Sequence, residues 1–175
     1  MKARTTITNN PQAVLLRVKQ MLSQGQAEQA LDLLNRSGGD SPAVRNARGV
    51  CLLRMGKLDA AKNIFRDLVF PDGALAIPQR TPTVFRTNYI TALLLLDNLI
   101  TGISLLYQIR DETHPEVINL KFVIREWKRT FPWWRRLPML IGYYPARSLR
   151  LGSEPGRLWH PDTEASPEEP NKAAA

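Results

Sequence analysis

Four prolines set the frame into which this chain can fold. Each follows a residue able to cap a helix and precedes a small or branched apolar residue two positions on. The four sites read Asn10-Pro11-Gln12-Ala13, Ser41-Pro42-Ala43-Val44, Thr81-Pro82-Thr83-Val84 and His114-Pro115-Glu116-Val117. Side-chain oxygens of Asn, Ser and Thr accept the orphan N–H groups of a helix start. Proline fits the first helical position, where its missing N–H had no partner to lose. At the fourth site Thr113 and Glu116 form a capping box if the helix begins one residue earlier. The prolines lie 31, 40 and 33 residues apart, a period in the range of stacked helical repeats. The longer middle interval holds a turn-rich insertion, Pro71-Asp72-Gly73-Ala74-Leu75-Ala76-Ile77-Pro78.

A second mark recurs inside the units. Gly25 and Gly56 each lie 14 residues after a proline. There glycine lets the backbone leave one helix with positive φ and enter the next. In the third unit Asp97-Asn98 takes this place. The segments after the turns carry helical apolar spacing: Ala30, Leu31 and Leu34, then Leu58, Ala61, Phe65 and Leu68. The spacing predicts helix pairs over 11–24 with 27–36, 42–55 with 58–69, and 82–96 with 99–110, then a seventh helix over 115–130.

At this level the chain resembles the tetratricopeptide repeat family. The second unit carries the likeness best, through Gly49, Leu52, Gly56, Ala61 and Phe65. The first follows through Gly25, Ala30 and Leu34, and the third through helix length and apolar pattern. The likeness spans about residues 10–130. No unit begins with the family's tryptophan, and the repeats vary in length. The expected fold class is all-α: a short right-handed solenoid of antiparallel helix hairpins, three to four repeats long, with a non-regular C-terminal segment. The resemblance implies a concave groove lined by the first helix of each unit, holding a peptide or a partner helix. By analogy with the family, wall positions fall four, eight and twelve residues after each proline. They include Lys19, Asn46, Arg54, Arg86 and Asn119, a basic and amide set suited to acidic or backbone groups of an extended partner.

Charge is unevenly placed. The net charge is +8, and residues 121–158 hold nine basic against two acidic side chains. Within that stretch, residues 125–136 contain three of the four tryptophans and five basic residues. Three readings stay open: a cap over the last apolar face of the solenoid, a protein interface, or a surface for anionic membrane or nucleic acid. Trp127, Trp133, Trp134, Arg135 and Arg136 are the residues concerned. No RNA- or DNA-binding motif accompanies them.

Catalytic and metal patterns are missing. The chain has one cysteine and two histidines, His114 and His160, too few for a Cys/His zinc site. It has no Gly-rich phosphate loop and no nucleophile elbow. Cys51 sits among Val50, Leu52 and Leu53 as a small core residue. We therefore expect no enzyme activity and no cofactor. With no secretory signal and a single thiol, the expected location is cytoplasmic. The expected organisation is a flexible N-terminus (1–9), a helical repeat domain (10–137), an extended fold-back segment (138–159) and a disordered acidic tail (160–175). The expected partner is another protein or peptide. Self-association is the alternative suggested by the apolar runs Leu93–Leu96 and Leu105–Tyr107.

Overall fold

The computed structural model describes residues 11–74, 76–78, 80–145, 149, 151–152 and 154–159. The expectations for residues 1–9 and 160–175 lie outside the described residues. Among the described residues the fold is all-helical, with eight α-helices and no strand. They are α1 (Pro11–Ser23), α2 (Ala27–Arg36), α3 (Pro42–Arg54), α4 (Leu58–Val69), α5 (Thr83–Leu95), α6 (Leu99–Tyr107), α7 (Pro115–Arg129) and the single turn α8 (Trp133–Arg136). Pro71–Gly73 and Pro138–Ile141 form 3-10 turns.

The proline sites divide into three that begin helices and one that does not. Pro11, Pro42 and Pro115 each open a helix. Ser41 Oγ accepts from the N–H of Val44 at 3.3 Å. His114 Nδ1 accepts from the N–H of Glu116 at 3.2 Å. The capping box is not formed: Thr113 Oγ1 donates instead to Asp111 Oδ1 at 2.9 Å. Pro82 is extended, with ψ of 139°, so α5 starts at Thr83 with no side-chain cap. The insertion ahead of it explains the slip. Its last turn ties the N–H of Thr81 to the carbonyl of Pro78 at 3.1 Å, which holds the chain out of the helical path until Pro82 has passed.

The turns that close α1, α3 and α5 are built identically. Gly25, Gly56 and Asp97 occupy the left-handed region, with φ of 74°, 74° and 58°. The N–H groups of Gln26, Lys57 and Asn98 reach back to the carbonyls of Met21, Leu52 and Leu93, each at 2.9 Å. Those of Gly25, Gly56 and Asp97 reach Leu22, Leu53 and Leu94 at 3.2, 3.1 and 3.2 Å. This paired arrangement satisfies carbonyls that a helix end would otherwise strand. It also fixes the register of the third unit, with Asp97 standing where the other two have glycine.

From α1 to α7 each helix packs on its neighbours in sequence, and α1 on α3, α3 on α5 and α5 on α7 as well. Two apolar cores result. The first runs from Val14 to Leu93 and includes Val18, Leu34, Val50, Phe65 and Phe85. The second includes Leu94, Ile103, Leu106, Ile124, Trp127 and Phe131. Helix α5 belongs to both: Phe85, Tyr89 and Ala92 face the first core, Ile90 and Leu94 the second. Two glycines let the helices of a pair approach closely. A Cβ on Gly49 would lie 2.5 Å from the Phe65 ring, and one on Gly102 would lie 2.9 Å from Leu94.

Nothing lies within 4 Å of where a Cβ on Gly56 would sit, so a side chain there meets only the backbone penalty. We expect Gly56→Ala to lower stability by about 1–2 kcal/mol, and Gly56→Asn to recover much of that. Urea unfolding of the three proteins side by side provides the check.

Candidate functional site

The face of α3 that carries Asn46, Val50, Leu53 and Arg54 is covered by the chain's own residues 154–159. That segment runs antiparallel to the helix. Glu154 and Pro155 meet Arg54 at the C-terminal end. Gly156 lies over Leu53 and Val50, and Arg157 sits at Asn46 near the N-terminal end.

Two buried amides hold the middle of the segment. Asn46 on α3 and Asn88 on α5 are 0% and 2% exposed. Asn88 Oδ1 accepts from the N–H of Arg157 at 2.8 Å. Asn88 Nδ2 donates to the carbonyl of Arg157 at 2.8 Å. Asn46 Nδ2 donates to the same carbonyl at 3.0 Å. Asn88 Nδ2 also donates to Asn46 Oδ1 at 2.8 Å. Both polar groups of one residue's backbone are therefore read, and its side chain is not. The Arg157 guanidinium turns outward to an ion pair with Glu116 at the start of α7.

The ends are fixed by charge and by apolar contact. Arg54 Nη1 lies 2.6 Å from Glu154 Oε2 and donates to the carbonyl of Leu22 at 3.0 Å. Its Nε donates to the carbonyl of Pro155 at 3.4 Å. One guanidinium so joins the end of α1, the end of α3 and the segment, in the forked geometry at which arginine excels. At the other end Leu158 and Trp159 pack on the first core. The Trp159 ring meets Phe85 edge to face at 5.2 Å. Gly156 has φ of +82°, and a Cβ there would lie 3.1 Å from Leu53. Both the conformation and the space call for glycine.

Of the five wall positions named from the sequence, Asn46 and Arg54 come together on this segment. The remaining three stand apart from it. Lys19 is exposed on α1. Arg86 Nη2 donates to the carbonyl of Pro78 at 2.8 Å, within the connection ahead of α5. Asn119 is half-buried on α7. The partner of Asn46 is Asn88, which the proline count does not reach. Counting from the turns instead aligns Asn46 with Thr87. That hydroxyl stays on its own helix, donating to the carbonyl of Val84 at 3.0 Å. The available signal was an amide set inside the apolar run of α5.

The basic aromatic stretch divides. Trp127 is buried and packs edge to face on Phe131 with centroids 5.1 Å apart. Arg136 closes the end of α7, its Nε on the carbonyl of Phe131 at 2.8 Å and its Nη2 on that of Arg129 at 3.0 Å. Trp133 and Trp134 are exposed, and the Arg135 guanidinium lies 4.9 Å above the Trp134 ring. Lys128 lies 5.6 Å from the centroid of the Tyr144 ring. Burial pushes its ammonium pKa down and the Tyr144 phenol pKa up.

Other chemistry is sparse. Cys51 is buried, and burial pushes its thiol pKa up to about 11. Among the described residues no group of His, Cys, Asp and Glu is placed to hold a metal ion. No helix among them is long and apolar enough to cross a membrane. Comparison with protein-family models, with curated proteins and with solved structures returned no match.

Two expectations follow. Asn88→Ala leaves the N–H of Arg157 and the Asn46 amide short of partners, which costs about 1–3 kcal/mol. Hydrogen exchange at the Arg157 amide should accelerate accordingly. Cys51 should resist alkylation in the folded protein at neutral pH and react fully once denaturant is added. Mass spectrometry distinguishes the two states.

Proposed function

We propose that this chain is a protein-binding scaffold of the helical-hairpin solenoid type, resembling tetratricopeptide repeats, whose groove holds an extended peptide. The observation that carries the reading is the pair of buried amides. Asn46 and Asn88 bond the backbone N–H and C=O of Arg157 and leave its side chain alone. Such a device grips any peptide in the right conformation, while neighbouring contacts select among sequences. Here those contacts are a carboxylate site at Arg54, a glycine-sized gap over Val50 and Leu53, and an aromatic contact at Phe85.

The chain's own residues 154–159 fill the groove and define the occupant it fits: an acidic residue, a small residue two positions on, and an aromatic residue at the far end. A partner of this pattern competes with the tethered copy, so its apparent affinity falls by the fraction of time the groove is open. Among the expected wall positions this reading rests on Asn46 and Arg54, and not on Lys19, Arg86 or Asn119. Of the apolar runs behind the self-association alternative, Leu93, Leu94 and Leu106 are buried in the chain's own cores and Tyr107 is exposed.

The test uses a fluorescent peptide with the sequence of residues 154–159. Wild type should bind it weakly. Gly156→Val in the full chain unseats the tethered segment and should raise peptide affinity by roughly tenfold or more. Adding Asn88→Ala to that variant should abolish binding. If the Gly156→Val protein keeps its helical circular dichroism yet ignores the peptide, the groove reading fails.

A further inference from the structure

We propose that the tip formed by α8 and the turn after it docks on an anionic membrane surface. This stands apart from the groove and does not rest on it. The base of the tip is fixed. Phe131 and Met139 are buried in the second core, and Arg136 is bonded to two carbonyls at the end of α7. Helix α8 and Pro138–Ile141 pack on each other. From this rigid base the tip presents Trp133, Trp134, Leu137, Leu140, Ile141 and Tyr143 to solvent. Leu140 and Ile141 are 83% and 84% exposed, Tyr143 77%. The cap over the last apolar face is supplied by Trp127, Phe131 and Met139, so these six are surplus to the fold.

Their chemistry fits lipid better than protein or nucleic acid. Leucine and isoleucine at the apex suit the acyl boundary, and indole and phenol flanks suit the headgroup level. The rim is basic. Between residues 125 and 145 there are five Lys and Arg against the single acidic Glu126, which Arg129 already pairs at 2.7 Å. Such a rim favours anionic headgroups. A standard protein interface draws about 20–30 residues a side, more than the eleven residues from Trp133 to Tyr143 can offer. Base stacking would use the tryptophans but leave the aliphatic apex in water.

Flotation of the full-length protein with vesicles is the experiment. Phosphatidylcholine vesicles are compared with vesicles that also hold phosphatidylglycerol, at low and high salt. The wild type should float with the anionic vesicles at low salt, and high salt should reduce this severalfold. Acyl-chain quenchers should dim its tryptophan emission. The double substitution Leu140→Glu and Ile141→Glu lies at exposed positions and should leave the melting curve in place while reducing partition by roughly tenfold or more. The proposal is overturned if the wild type stays with the buffer, or if the double variant floats as well as wild type. It is equally overturned if the tip proves to bind single-stranded RNA or a second copy of the chain in preference to vesicles, read by gel shift and light scattering with the same variant.

Discussion

Helix α5 has no solvent face to spare, and the rest of the molecule is arranged around that constraint. It packs on α3, α4, α6 and α7 and contributes side chains to both cores. A helix in that position must satisfy every polar side chain it carries from within the protein. Thr87 and Thr91 do so on their own helix, bonding the carbonyls of Val84 and Thr87 at 3.0 and 2.8 Å. Asn88 cannot, because its amide has both donors and an acceptor to place. It finds them on Asn46 and on the backbone of Arg157. Residues 154–159 therefore complete the polar interior of the bundle as well as covering α3. Partly satisfied, this network would destabilise the centre; complete, it fixes one arrangement of α3, α5 and the segment.

The helices were legible in the sequence because their limits rest on local chemistry. The φ of proline, the left-handed turn at Gly25 and Gly56, and a serine oxygen at the right distance act within four or five residues. The spacing of one side chain to the next reveals them. Thr81 shows where this breaks down. Its local pattern is that of a cap, yet Pro82 keeps an extended ψ of 139° and the helix begins one residue later, at Thr83. The site was legible only in part, for a related reason. Asn46 and Arg54 lie four and twelve residues after Pro42, where counting finds them. Asn88 faces α3 across a helix interface, and no count along α5 alone shows which amide meets which. Arg157 is joined to Asn46 over 111 residues of sequence, a distance at which pattern carries no information.

Residues 125–136 illustrate how one composition serves two ends. Tryptophan and arginine occur on both sides of Pro132, and periodicity does not separate them. The structure does so by burial. The helical register of α7 puts Trp127 inside, one turn before the chain leaves the helix. After Pro132 the path turns away, and the next two tryptophans have no core within reach. Arg136 then turns back to the carbonyls at the end of α7, whereas Arg135 stacks on Trp134 outside. The structural reading thus holds for Trp127 and Arg136, while Trp133, Trp134 and Arg135 lie on the surface.

The bond between Arg54 and the carbonyl of Leu22, shared with Glu154, has a consequence for how the molecule comes apart. A row of helices that touch mainly their neighbours in sequence can peel from either end, one pair at a time, at low free energy. This chain is buckled: through Arg54, at the end of the third helix, Glu154 is linked to the end of the first. Peeling α1 away must release the clasp, and lifting residues 154–159 strips partners from the central amides. The two ends thus share one fate, and unravelling is converted from a graded process into a concerted one. The same closure is slow to make, because contacts between residues about a hundred apart form only after the intervening helices are in place.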